Sequence, residues 1–409
     1  MHWMRDWATP VPLFTCEATG ATLTCVDRHR FVDFCLGDTA AMFGHSPPPV
    51  AQAIARQAAR GLATMLPSHQ SAETAASLSE VFGLPWWQLT LTATDANRAV
   101  LRHARAITGR RKVLVFNHCY HGTLDEALVV AGPHGQAQPR PGLIGSHFDV
   151  SDTVVVEFND PQGLTQALAT QEVACVLTEP VLTNAGMVLP QPGFLAALRE
   201  ACTRYGTLLV IDETHTLCAG RGGYFRQAGL AADFLVCGKA VAGGLPCAVF
   251  GFSYAVASRM RDFDRARVGG HSGLGTTLAA NPLGMAALLA CLREVMTPAA
   301  YAHMDPLAGL LAGRMTAALA ARGLPWHVSR VGARLEFAPG EPPRNGTESL
   351  ARYDPDLSAA LHLFLLNRGF VLTPFHNMML VSPATTRTQV DGFLKVFDDC
   401  LQAFQACLR

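Results

Sequence analysis

Lys239 closes an apolar run, Asp233-Phe-Leu-Val-Cys-Gly238-Lys239, and is followed at once by Ala-Val-Ala-Gly243-Gly244-Leu-Pro246. A lysine held at a strand end against a glycine turn can shed its proton when desolvated and attack an aldehyde, the chemistry of Schiff-base cofactors. Twenty-seven residues upstream, a second apolar run, Thr207-Leu-Leu-Val-Ile211, ends in Asp212-Glu213. An acid and a lysine on the lips of neighbouring parallel strands answer two demands of pyridoxal 5′-phosphate (PLP): a carboxylate for the ring nitrogen and an amine for the aldehyde.

Three further segments stand where a phosphorylated ring cofactor would need them. Thr92-Ala93-Thr94-Asp95-Ala-Asn97 follows a strand-like run and opens a helix with apolar positions Ala96, Ala99, Val100 and Ala104. Two hydroxyls and the free amides of a helix N-terminus form an anion cup, although a hydroxyl residue in that place is more often only an N-cap. Asn117-His-Cys-Tyr120-His121-Gly122-Thr123 also follows a strand. An aromatic flanked by glycine there can lie against a pyridine ring, or it is an ordinary buried tyrosine. Third, Thr178-Glu179-Pro180 with Asn184-Ala-Gly186 ends a buried strand in an acid that is either functional or paired with a structural arginine. Other chemistries lack their residues. Gly-x-Ser-x-Gly is absent, since Gly270-His-Ser272-Gly273 puts glycine beside the serine. His118 and His121 have no third ligand at a metal-binding spacing, so no metal is expected. Gly-x-Gly-x-x-Gly is missing as well.

The elements that must position these residues follow from periodicity. Residues 12–36 alternate apolar and turn residues and predict a small antiparallel meander. Val50 to Gly61 predicts an amphipathic helix, after which strands alternate with helices, the mark of a mostly parallel sheet with crossover helices. The strand candidates are Gln88–Thr92, Lys112–Phe116, Thr153–Glu157, Val173–Thr178, Thr207–Asp212, Phe234–Cys237 and Ala248–Phe252. A helix over Ala300–Leu324, strand-like runs at Val328–Phe337, Phe370–Leu372 and Met378–Val381, and a last helix from about Gln389 to Leu408 predict a separate α+β unit. The expected fold class is therefore α/β. Residues 51–298 form a large domain, while 1–50 and 299–409 make a small α+β domain from both chain ends.

Bulk composition narrows the function. Lys plus Arg balance Asp plus Glu, 32 against 32, so no field favours nucleic acid or an anionic membrane and a small substrate is expected. The chain is 49% hydrophobic and only 16% charged, which suits buried interfaces and an oligomer. Its twelve cysteines show no CxxC spacing and read as buried thiols of a reducing cytosol. No stretch reaches the roughly 18 uncharged residues of a membrane span, and Met1-His-Trp-Met-Arg5 does not begin a signal peptide, so a cytoplasmic location is expected.

At this point the chain resembles the class III (subgroup II) aminotransferases of the fold-type I PLP enzymes, over nearly its whole length. The motifs that agree in order and spacing are Gly44-His-Ser-Pro47, Thr94-Asp-Ala-Asn97, Thr108-Gly-Arg, Cys119-Tyr-His-Gly122, Thr178-Glu-Pro180, Leu209-Val-Ile-Asp-Glu213, Gly238-Lys239 and Asn281-Pro282. Within the class the likeness is greatest to the glutamate-1-semialdehyde 2,1-aminomutase-like members and the β-amino-acid transaminases. The resemblance implies that Lys239 carries PLP and shuttles a proton at the substrate carbon, and that Asp212 holds the ring nitrogen protonated. It implies that Tyr120 stacks on one ring face and Thr214 presses on the other. Thr92, Ala93 and Thr94 would hold the phosphate, joined by Thr277 from the partner chain of a homodimer. His121 and Glu179 complete the implied cofactor-binding set.

Departures from the family pattern bear on specificity. The usual Ser-Gly-Thr of the phosphate cup is Thr92-Ala93-Thr94 here, and Asp-Glu-Val-Met/Gln-Thr is Asp212-Glu-Thr214-His215-Thr216. His215 thus stands where the family contacts the cofactor's phenolic oxygen, with Asn184 the other candidate. Trp3 occupies the place of a substrate-binding arginine, Arg5 lies two residues away, and Phe375-His376-Asn377 replaces a C-terminal arginine. Arg5, Trp3, Phe375 and His376 are therefore the substrate-side candidates, joined by Asp38 in Gly37-Asp-Thr-Ala40, which either faces the site or caps a turn. The expected activity is transfer of an amino group from a small-molecule donor to a keto acceptor by a ping-pong mechanism. An intramolecular aminomutase is the alternative, and a racemase or decarboxylase ranks third. A non-catalytic relative would be expected to lose Lys239 or Asp212, and both are present.

Overall fold

The computed structural model describes residues 13–143, 149–267, 274–373 and 376–407. Its central sheet has seven strands: β1 (Trp86–Thr90), β2 (Lys112–Phe116), β3 (Thr153–Val156), β4 (Val173–Thr178), β5 (Leu208–Asp212), β6 (Phe234–Cys237) and β7 (Ala248–Phe252). They lie in the order β1-β7-β6-β5-β4-β2-β3. Every pairing from β6 to β3 is parallel, while β7 runs antiparallel to both β6 and β1. Only β7 is reversed because the chain leaves β6 through a short 3-10 turn, Lys239–Ala242, and returns without the helical crossover that a parallel neighbour requires.

Helices Ala93–Thr108, Pro161–Ala169 and Phe194–Arg204 connect β1 to β2, β3 to β4 and β4 to β5. They cover both faces of the sheet, so β4, β5 and β6 are buried at every residue. Alternate side chains feed two cores. Leu114, Phe116, Val176, Leu209 and Ile211 enter one, and Val113, Val115, Leu177, Val210 and Phe250 the other. Burying a side chain of this size is worth about 1.5–3 kcal/mol.

Strands Thr15–Thr19, Thr22–Cys25 and Arg30–Asp33 form the expected antiparallel meander, and Phe370–Val371 joins it parallel to Arg30–Asp33. The two chain ends thus share one sheet. Phe34, Phe337, Phe370, Phe393 and Phe397 fill the core beneath it, with Phe34 and Phe393 edge to face at 5.2 Å.

Two boundaries differ from the sequence reading for local reasons. The first strand ends at Thr90 rather than Thr92, since the Thr92 hydroxyl accepts from the Asp95 amide and caps the helix that opens at Ala93. The run Val328–Phe337 is a hairpin of Trp326–Val331 and Arg334–Pro339. Its turn holds Gly332 at φ 52, where a Cβ would sit 2.3 Å from the Cys218 carbonyl oxygen. Among the described residues no single helix is long and apolar enough to cross a membrane.

Candidate active site

Because all strands but β7 point the same way, the loops after β1, β2, β4, β5 and β6 and the segment before β7 gather at one edge of the sheet. That carboxyl edge is where open α/β sheets bind ligands. A cavity of about 310 Å³ opens there, lined among others by Thr92, Ala93, Thr94, Tyr120, His121, Glu179, Asp212, Thr214, His215 and Lys239.

Asp212 is the last residue of β5 and is buried. Its Oδ2 accepts from Asn97 Nδ2 and His121 Nδ1, both at 3.0 Å, and its Oδ1 accepts from the Thr214 amide at 3.1 Å. Burial alone would raise its pKa. The hydrogen bond and charge of His121, with the bonds from Thr214 and Asn97, outweigh that and hold the carboxyl below its ordinary value. Burial works against a charge on His121, but the Cys119 sulfur and the Asp212 carboxylate beside it push its pKa up to about 10.

The sign of each shift sets a stability window. His121 is raised, so its contribution is complete below its ordinary value of 6.5 and is lost as pH rises through about 10. Asp212 is lowered, so its contribution is present above the ordinary carboxyl range and is lost as pH falls through the folded value. Thermal melts between pH 6.5 and pH 10 should therefore show wild-type stability falling more steeply than that of Asp212→Asn; parallel pH profiles would contradict the pairing.

Lys239 opens the turn after β6 at φ 47, a backbone conformation a side-chain-bearing residue rarely adopts. Its Nζ lies 2.7 Å from Asp38 Oδ2 and 2.8 Å from His215 Nε2. Asp38 is brought there by a loop pinned at Asp33, whose Oδ1 accepts from the Cys35 and Leu36 amides at 2.8 and 2.9 Å. Thr214 braces the two reactive strands, since its hydroxyl accepts from the Gly238 amide at 3.1 Å while its own amide serves Asp212.

Ala93 and Thr94 are the first helical residues after the cap, so their amides have no intrahelical acceptor, and both residues line the cavity. The Thr92 hydroxyl both caps the helix and donates to Asp95 Oδ2 at 2.8 Å. Gly122, at φ 83, lets this cup close, because a Cβ there would fall 2.0 Å from Thr94 Oγ1. Gly122→Ala should cost about 1–3 kcal/mol and weaken cofactor retention. Gly109→Ala, at φ 69 with open space around its Cβ, should cost less and leave retention unchanged. Melting curves and a cofactor titration read both, and equal effects would remove the cup from the argument.

Glu179 is buried and its pKa is raised by burial; it accepts from the Thr183 hydroxyl and from Asn184 Nδ2 at 3.3 Å. Asn184 itself lines an adjoining cavity of about 430 Å³ together with His376 and Glu336. His376 Nδ1 lies 3.3 Å from Glu336 Oε1 there. Thr277 is exposed and does not line the cavity of its own chain. Trp3, Arg5 and Phe375 lie outside the described residues. Cys247 lines the cavity with its pKa pushed up to about 12 by burial, so it is a thiol and no nucleophile. Glu213 is pushed up to about 7 by burial and is taken up by the Thr216 hydroxyl and the Tyr224 and Phe225 amides, which makes it structural.

Sequence reasoning assigned no role to Thr39, Asn97 or Arg334. Arg334 carried one signal, a cation at the head of the strand-like run Arg334-Leu-Glu-Phe337.

The site suits PLP on its own chemistry. A buried carboxylate kept ionised can hold a pyridine nitrogen, an amine shares its cavity, and two acceptorless helical amides can take a phosphate. The comparisons agree. A family model described as aminotransferase class-III matches residues 3–401. The chain is 33% identical over 368 residues to glutamate-1-semialdehyde 2,1-aminomutase of Thermomicrobium roseum, covering 89% of this chain and 84% of that protein. It superposes with TM-score 0.95 and 48% identity on the crystal structure of a glutamate-1-semialdehyde-aminomutase from Pseudomonas aeruginosa PAO1, covering 98% of this chain and 90% of that one. A β-phenylalanine aminotransferase from Variovorax paradoxus matches at TM-score 0.87 and 28% identity over 99% of this chain and 91% of that one. The cofactor is therefore pyridoxal 5′-phosphate, the architecture is PLP fold type I, and the chain belongs to the class-III aminotransferase family.

Proposed function

We propose that this protein is an intramolecular aminomutase of the glutamate-1-semialdehyde 2,1 type, moving an amino group between neighbouring carbons of one small substrate. The observation that carries it is the 48% identity and 0.95 TM-score to an aminomutase structure across 98% of the chain. When bound, PLP supplies an electron sink for the substrate carbon that carries the amine. Lys239 takes the proton from that carbon and returns it one position along. Asp212 stays ionised to keep the ring nitrogen protonated, and the amides of Ala93 and Thr94 orient the phosphate end. A mutase needs no second substrate. Purified enzyme given the semialdehyde alone should turn over without any added keto acid; turnover that appears only when pyruvate or 2-oxoglutarate is supplied would overturn the proposal.

That second outcome belongs to a transaminase with separate donor and acceptor. One observation favours it: among the described residues no arginine lines the cavity, while Ala40, Leu245, Pro246 and Cys247 give one wall an apolar character. We further propose a cytosolic homodimer in which Thr277 reaches the partner's phosphate cup. Thr277 is exposed, and Leu62, Met65, Leu66 and Leu278 present apolar surface, each at least half exposed. Sedimentation should return a dimer, and Thr277→Glu should lower cofactor affinity by placing a carboxylate beside the phosphate. A monomer that retains PLP would sink this part.

A further inference from the structure

Among the described residues no arginine lines the cofactor cavity, yet a guanidinium stands behind its wall. Arg140 follows the short strand Ala137–Pro139 and is half-buried. Its guanidinium carbon lies 6.0 Å from the centroid of the Tyr120 ring. Tyr120 lines the cofactor cavity, while Arg140 lines the adjoining cavity of about 430 Å³. The two cavities meet a second time at Glu179, which faces the first, and Asn184, which faces the second and donates to Glu179 at 3.3 Å.

This guanidinium is held in place without being neutralised. Its Nη2 donates to the Cys119 carbonyl at 2.7 Å and the His118 carbonyl at 3.3 Å. Among the described residues no carboxylate pairs with it, and the N–H groups of Nε and Nη1 have no acceptor. A fixed guanidinium with open N–H groups is suited to a carboxylate. The other charged groups facing the adjoining cavity do not fill that role. Glu336 is buried beside His376, and its Oε2 has no hydrogen-bond donor, so that end of the cavity calls for a donor and not for a carboxylate. Asp354 caps helix Pro355–Leu366, its Oδ1 accepting from the Asp356 and Leu357 amides at 3.0 Å. Arg352 is exposed and donates to the Glu341 carbonyl. Between these groups Val130, Ala185, Ala338 and Leu357 offer an apolar lining that suits a methylene chain.

We propose that Arg140 binds the substrate's carboxylate, and that the adjoining cavity is the far half of the substrate site. The substrate class is then a small aliphatic amino compound ending in a carboxylate, with its reacting carbon at Lys239 and its acid end beyond Tyr120. This supplies the cation that the cofactor cavity lacks. The inference rests on the reading of the cavity beside Lys239 as the reacting site, and it holds whether the enzyme is a mutase or a transaminase.

The test needs no turnover. Holoenzyme is titrated calorimetrically with glutarate, a five-carbon diacid without an amine, and with its neutral counterpart glutaramide; bound PLP keeps both probes out of the phosphate cup. Wild type should prefer glutarate by at least about tenfold, the scale of one hydrogen bond to a charged group. In Arg140→Met that preference should fall to about one, and Arg140→Lys should recover part of it, with PLP content and absorbance unchanged in both. Arg140 also holds the loop at His118 and Cys119, so a second measurement uses the wild-type chain alone. Glutarate, and not glutaramide, should protect Arg140 from phenylglyoxal, read by peptide mass. Equal affinities in wild type, an unchanged preference in Arg140→Met, its loss in Arg352→Met instead, or an unprotected Arg140 would overturn the proposal. Failure of the mutase reading shows separately, in the acceptor-free turnover that these binding measurements do not involve.

Discussion

Lys239→Ala should yield a protein that binds PLP without covalent attachment, so that borohydride fixes no cofactor to the chain, and whose turnover falls by at least about 10²–10⁴-fold, the scale of one lost proton-transfer group. The prediction is sharp because the chain offers no substitute. Only Lys112 and Lys395 remain. Lys112 starts β2, at the opposite edge of the sheet, where its Nζ pairs with Glu172 at 2.6 Å, and Lys395 is exposed on the last helix. Borohydride reduction of the wild-type holoenzyme followed by peptide mapping should place the label on Lys239 alone. Cofactor fixed to the variant chain by borohydride, or a labelled peptide around Lys112 or Lys395, would remove Lys239 from the chemistry.

The second large effect is expected from Asp212→Asn. The carboxylate is held by three donors, Asn97, His121 and the Thr214 amide, all between 3.0 and 3.1 Å. An asparagine of nearly the same shape keeps the packing but turns one acceptor into a donor facing Asn97 or His121, and it removes the negative charge that keeps the ring nitrogen protonated. Cofactor should still bind through Lys239 and the phosphate cup, while kcat drops roughly 10²–10³-fold, the scale of one preorganised electrostatic partner. A variant within tenfold of wild-type kcat would show that another group protonates the ring. Loss of colour together with loss of rate would instead indicate a folding defect.

The sequence by itself determined the sheet and the two residues at its lips. Six of the seven strands match their sequence-based bounds to within one residue at either end. Apolar, largely β-branched runs flanked by turn residues are a local signal that survives folding when both faces are buried. Lys239 and Asp212 were legible for the same reason, since strand ends can be counted along the chain and the carboxyl edge collects them. What only the tertiary structure decided depends on distant segments meeting. Asp38 reaches Lys239 across 201 residues of sequence, and Arg334 reaches His215 across 119. In the sequence Asp38 suits a turn cap as well as a site, and Arg334 reads as one more strand residue, because nothing local reports which face will be covered. Asn184, equally well placed in sequence beside Glu179, falls in the adjoining cavity. Hydrogen-bond direction is the most distant from sequence of all. The nitrogen of His215 that accepts a hydrogen bond is set by the Arg334 guanidinium, which lies far from it in sequence and meets it only in the folded chain.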